Sequence, residues 1–274
     1  MNRAKKCQCI AQNMRRKMIQ LADIAVDTMH WGGSFSSAEI FAVLFGEILH
    51  GIKDKKMFSE RDKFLLSKGH AALGVYTAMN AVGLLSDQLL MTYQQDGSDI
   101  SELMEYNPML GFETSGGSLG INPSYAVGLA LLAKRKKYDY HTYVEIGDGE
   151  LDEGAVWEAI MSASQYHLDN ITMIVDANTV QSDGFTRDIM SWENISQRFE
   201  SFGWKVYSLD GHNCGELLEA FESTTDRPKA IIANTVKGKG VSFFENNYLW
   251  HDRILKGKEL EQAKEEIENN VGYE

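Results

Sequence analysis

The stretch "GDGELDEG", residues 147–154, brackets Asp148 with two glycines and follows it with three more carboxylates within five positions. Glycine frees the backbone for tight turns and for close approach to a ligand. A carboxylate on such a turn suits a hard divalent cation. Thirty residues on, Asn178 in "VDANTVQSDG" offers an amide oxygen of the same hard class. Mg2+ wants six oxygens and commonly shares its shell with phosphate and water. Asp148, Asn178, the main-chain carbonyl of Val180, two diphosphate oxygens and a water would complete six. Gly147 and Gly149 would let backbone N–H groups reach the diphosphate, aided by the dipole of a helix starting near Glu153. Gly-Asp-Gly alone is a common turn, so its pairing with a strand-ending Asn is the specific signal. A calcium loop of the EF-hand kind does not fit, because Val180 and Gln181 stand where a third acidic ligand and a glycine belong.

These groups need a frame that brings them together. Apolar residues near the 3.6 period predict a helix over 10–29, then a helix-stopping loop at His30-Trp31-Gly32-Gly33. A second helix is expected from Ser36-Ser37, with Glu39 completing a capping pair. "KFLLS" (63–67), "TYVEI" (142–146), "ITMIVDA" (171–177), "WKVYSL" (204–209) and "KAIIANTV" (229–236) read as strands. Helices are expected over 71–82, near 124–135, and over 153–166, 193–202 and 214–223, with an irregular stretch at 95–123. Apolar, β-branched strands fit burial on both faces. The strand–helix alternation predicts an α/β fold, a three-layer parallel sheet flanked by helices. No linker or repeat interrupts it, so 1–274 reads as a single domain with a charged helical tail on the surface from about 257. Ligands of such sheets lie beyond the carboxyl ends of the strands. His70, Gly147–Gly149, Asn178 and Lys237 all follow predicted strands and should share one rim.

Composition narrows the class. The net charge of −12 argues against a nucleic-acid surface. Three cysteines, Cys7, Cys9 and Cys214, suggest a reducing compartment with no disulfide framework. No apolar run is long enough to span a bilayer, and the N-terminus has no signal-type core. The expectation is a soluble cytoplasmic protein.

The segment "GDGELDEGAVWEAIMSASQYHLDNITMIVDANTVQSDG" resembles the thiamine diphosphate motif of transketolases. "HWGGSFSSAEIFAVLF", "RDKFLLSKGHAALGVY", "FETSGGSLG", "LDGHN" and "VKGKGVSFFEN" extend the resemblance in order over nearly the whole chain. It is strongest to the amino-terminal subunit of split, two-chain transketolases. The resemblance implies the thiamine diphosphate-binding fold of a diphosphate-binding (PP) domain. It implies Mg2+ held by Asp148 and Asn178 side chains and the Val180 carbonyl, with Ca2+ or Mn2+ able to substitute. It places Gly149 on the diphosphate, and Gly117 and Leu119 around the aminopyrimidine. It makes His30, His70 and His251 active-site histidines, His70 also lying near the diphosphate. It gives Glu153 the role of linking two cofactor sites across a dimer interface. His141, His167 and His212 read as structural.

In this family a glutamate of the pyrimidine-binding domain activates the cofactor, and 274 residues end before that domain would begin. The expectation is therefore a separate partner chain carrying the pyrimidine-binding and C-terminal domains, with two of each chain in the assembly. Three departures bear on the substrate. Leu103, within "ISELMEYNPM" (100–109), stands where the family's Gly-His-Pro element has its histidine. "WHDRIL" replaces the usual "WHG" with a following proline, and "SLGINPSYAVG" replaces a more glycine-rich run. An apolar side chain in place of imidazole favours a less polar fragment. Two activities stay open: transfer of a two-carbon ketol unit from a ketose phosphate to an aldehyde, or acyl transfer from a 2-oxo acid such as pyruvate, as in acyloin or deoxyxylulose-type synthesis.

Overall fold

A computed structural model describes residues 1–54, 56–191 and 193–269. Among the described residues, five strands form one sheet: β1 (Lys63–Leu66), β2 (Thr142–Gly147), β3 (Ile171–Ala177), β4 (Lys205–Asp210) and β5 (Lys229–Asn234). Their order across the sheet is β1-β2-β3-β5-β4, and every pairing is parallel. Successive side chains of a strand point to opposite faces. Phe64, Leu66, Tyr143, Ile174 and Ile231 accordingly join one apolar cluster, and Leu65, Val144, Ile146, Met173 and Ile232 join another.

Helices cover both faces. On the first lie α1 (Arg3–Leu21), α2 (Trp31–Ser36), α3 (Ala38–Val43), α4 (Ala72–Ala81), the short α5 (Asp87–Leu90), and later α10 (Cys214–Glu222) and α11 (Lys258–Asn269). On the second lie α6 (Ile121–Lys136), α7 (Gly154–Gln165) and α9 (Ile195–Ser201). A turn of helix, α8 (Thr186–Ile189), follows β3. This is the predicted three-layer α/β arrangement.

The differences from expectation have local causes. The first helix ends at Leu21, not 29, and Met29 instead forms an antiparallel bridge with Arg253. Trp31–Ser36 is helical despite its glycine pair. A Cβ on Gly32 would stand 2.6 Å from Lys237 Cε, so this glycine admits the lysine stem and does not stop a helix. Ser37 and Glu39 form no capping pair: Ser37 Oγ donates to Glu145 Oε1 (2.9 Å), and Glu39 is buried against Arg15 (2.5 Å). The helix expected near 124 begins at Ile121. β4, which pairs with β5 alone, is only half-buried, whereas β1 at the opposite edge is fully buried. The tail helix α11 is amphipathic: Leu260, Ala263 and Ile267 are buried in the first-face cluster beside α1. Among the described residues, no helix is long and apolar enough to cross a membrane.

Candidate active site

Register brings the two ligand loops together. Gly147 of β2 pairs with Asp176 of β3, so both strands end at the same height. Asp148 N then donates to Asp176 O (3.2 Å), and Asp148 Oδ2 accepts from Thr179 N (2.6 Å). Asp148 Oδ1 accepts from Gly149 N (2.9 Å), so that amide is engaged by the carboxylate itself. Asn178 Nδ2 donates to Asp176 Oδ2 (2.9 Å), and its Oδ1 accepts from Val180 N (3.1 Å). Asp148, Asn178 and Val180 are all buried on one rim. Burial, then the charge of Asp176, pushes the Asp148 carboxyl up to about 6.

Lys237 reaches this rim from the loop after β5. Its Nζ donates to Val180 O (2.7 Å) and lies 2.9 Å from His251 Nδ1. Burial pulls its ammonium down to about 8. Beneath it, Lys68 contacts Asp176, Glu145 Oε1 (2.9 Å) and Ser37 Oγ (2.8 Å). Burial opposes the charge on Lys68, but the Asp176 and Glu145 carboxylates outweigh it and hold the lysine protonated. One cation does not balance two buried anions. Asp176 stays ionised, its carboxyl lowered by Lys68 against the cost of burial, while burial pushes Glu145 up to about 8.

His30, His70 and His251 form a triangle, with ring centroids 5.2 Å (30–70), 5.4 Å (30–251) and 5.1 Å (70–251) apart. Burial, followed by the charges of neighbouring histidines and lysines, depresses His70 well below its usual range, and burial takes His251 to about 3. Both are neutral imidazoles at neutral pH. His70 is carried by a tight turn, Gly69–Ala71, whose Gly69 backbone touches Gly116. A Cβ on Gly69 would lie 2.4 Å from Gly117 N, so two backbones meet there with no room for a side chain. Gly117 has φ +105, and a Cβ on it would lie 3.2 Å from Leu103 Cδ1. Leu103 is 42% exposed and Leu119 36% exposed beside this turn. Glu153 is exposed at the start of α7, outside the histidine cluster.

The predicted rim residues thus converge, whereas Glu153 faces outward. His141 is half-buried, its Nε2 2.8 Å from Thr172 Oγ1. His212 is not isolated: its Nδ1 faces Glu39 Oε2 (2.9 Å), and its Nε2 accepts from Val236 N (2.8 Å) beside Lys237. Sequence reading placed Lys237 on the rim without a role, and missed the Lys68–Asp176–Glu145 group and Glu102. Charged residues inside strand-like runs, such as Glu145 in "TYVEI" and Asp176 in "ITMIVDA", were the available signal, since burying a charge requires a partner.

An all-parallel sheet with acid, amide, ammonium and imidazole groups gathered at its carboxyl rim has the layout of an α/β enzyme, whose ligands sit beyond the carboxyl ends of the strands. The chain belongs to the family described as "Transketolase, thiamine diphosphate binding domain", which matches residues 10–273. It is 34% identical over 267 residues to one of the subunits of the apulose-4-phosphate transketolase of Phocaeicola vulgatus, covering 95% of this chain and 93% of that one. It is 36% identical over 242 residues to a 6-deoxy-6-sulfo-D-fructose transketolase subunit of a Clostridium species, covering 87% and 88%. The transketolase of Campylobacter jejuni superposes with a TM-score of 0.85 at 29% identity, over 98% of this chain. That match spans only 43% of the longer transketolase.

Proposed function

We propose that this chain is the diphosphate- and metal-binding subunit of a two-chain transketolase-type enzyme. It would move a two-carbon ketol unit from a ketose phosphate to an aldehyde. The observation that carries this is the interlock of the β2 and β3 loops: Asp148 Oδ2 on Thr179 N, with the Val180 carbonyl and Asn178 alongside. Relatives named as individual transketolase subunits, matched over nearly their full length, support the two-chain reading.

The residues fit Mg2+ and a diphosphate. Asp148, Asn178 and the Val180 carbonyl supply hard oxygens, and each keeps a lone pair beyond the hydrogen bonds it accepts. A carboxyl raised by burial is one that a divalent cation would ionise. Asp148, Asn178 and Val180 would hold the metal. Gly149, Lys237 and His70 would face the diphosphate, and Gly117 and Leu119 the ring. Thiamine diphosphate, when bound, supplies a nucleophilic carbon and an electron sink. This chain's residues do the rest. Cleaving a ketose between C2 and C3 turns the C3 hydroxyl into an aldehyde, so its proton must leave. The triangle of His30, His70 and His251 is placed to accept it and to return it to the acceptor's oxygen. Glu153, exposed beside α7, would reach across to a second copy, in an assembly of two of each chain. The pyrimidine-side glutamate would come from the partner chain.

Leu103 favours a second reading, in which a 2-oxo acid is the donor and an acyl unit moves. A coupled assay with the partner chain, Mg2+ and thiamine diphosphate separates the two. Aldose release from a ketose phosphate is expected; carbon dioxide release from pyruvate without it would overturn the ketol reading. Asp148→Ala is expected to abolish Mg2+-dependent thiamine diphosphate binding in calorimetry, and retained binding would remove the metal assignment.

A further inference from the structure

An imidazole has a nitrogen on each edge, and the hydrogen bond made by one decides whether the other donates or accepts. His30 already has a neighbour at one edge. Glu102 Oε1 lies 2.8 Å from His30 Nδ1, an atom shielded from water. Asp252 adds a carboxylate, and one ligand-type atom from each of the three residues lies within 4.8 Å of the others. The His30–Glu102 contact is close but does not have hydrogen-bond geometry, so among the described residues Nδ1 has no well-aligned partner. Such bonds are commonly loose before substrate closes a site and tighten afterwards. Glu102 is half-buried: burial raises its carboxyl, and His30 opposes that shift. With Leu103 at the histidine of the family's Gly-His-Pro element, Glu102 occupies the glycine, a position with no side chain in that pattern.

We infer that Glu102 is a positioning residue for His30: it accepts the Nδ1 proton in a hydrogen bond, fixes the Nδ1–H tautomer, and leaves Nε2 as the acceptor for the donor's hydroxyl proton. This rests on the active-site reading above. The C3 hydroxyl proton passes to His30 Nε2 as the C2–C3 bond breaks, C3 becomes a carbonyl, and the bond pair stays with the two-carbon unit. In the second half-reaction Nε2 returns that proton to the acceptor's aldehyde oxygen as the new bond forms. Asp252 is exposed, which leaves Glu102 as the better-shielded acceptor.

The test reads the tautomer and the rate separately. Long-range proton–nitrogen spectra of the full chain, labelled at histidine nitrogen, are expected to show His30 as Nδ1–H, and Glu102→Ala to lose that preference. With the partner chain, Glu102→Ala is expected to lower kcat for the ketose phosphate about tenfold to a hundredfold, within what a positioned proton acceptor contributes. KM for thiamine diphosphate should not change, and Glu102→Asp should restore part of kcat. An unchanged tautomer in Glu102→Ala, or an unchanged kcat, overturns the inference. Full activity of His30→Ala with the tautomer shift intact would instead overturn the active-site reading of His30.

Discussion

Leu103, which the sequence resemblance sets at the histidine of a Gly-His-Pro element, presents an exposed isobutyl group to Gly117. A site that hydrogen-bonds a hydroxyl discriminates strongly against analogues lacking it, and an apolar site discriminates weakly. Leu103→His is therefore expected to raise kcat/KM for a hydroxylated ketose donor about tenfold relative to a 2-oxo acid, measured by competing the two donors. At this scale the sequence spoke clearly about Asp148 and Asn178, whose identity and spacing limit the chemistry. It put Lys237 on the rim without a role and was silent about Glu102. Lysine and glutamate are ordinary surface residues, and only burial against Val180 O or approach to His30 Nδ1 sets these two apart.

Two turns of the rim are joined through glycine backbones. Gly69 and Gly116 pack so closely that a Cβ on Gly116 would lie 2.5 Å from Gly69 Cα and 2.8 Å from Leu66 O. Backbone atoms cannot swing aside as a side chain can. Gly116→Ala is expected to destabilise the fold by about 2–3 kcal/mol and to weaken thiamine diphosphate binding by displacing His70. Urea denaturation and calorimetry read the two effects. Strands β1, β2, β3 and β5 were legible because apolar runs of strand length leave little choice. The start of α2 was not, since Gly32-Gly33 reads as a helix stop until the Lys237 stem is seen lying against Gly32.

Across the whole molecule, Arg15 of α1, Glu39 of α3 and His212 after β4 link the amino-terminal helix to the amide of Val236, next to Lys237. Burial opposes the Glu39 charge, but Arg15 and His212 outweigh it and hold the carboxyl down at about 2. Because this folded value lies below the ordinary 4.5, the stabilisation is complete above 4.5 and is lost as pH falls from there towards 2. Arg15→Ala leaves that buried carboxylate without its main partner and is expected to cost about 3–5 kcal/mol near neutrality. The gap from wild type should shrink as pH drops from 4.5 towards 2 in denaturant titrations. The sequence by itself determined the layer architecture and the Asp148–Asn178 pair, because strand periodicity and hard-oxygen chemistry are local properties of residue type and spacing. Only the tertiary structure decided which histidines form a triangle, which lysines replace surface charge with buried charge, and which carboxylate faces His30. Those facts depend on distances between residues far apart in the chain, fixed by parallel register and packing.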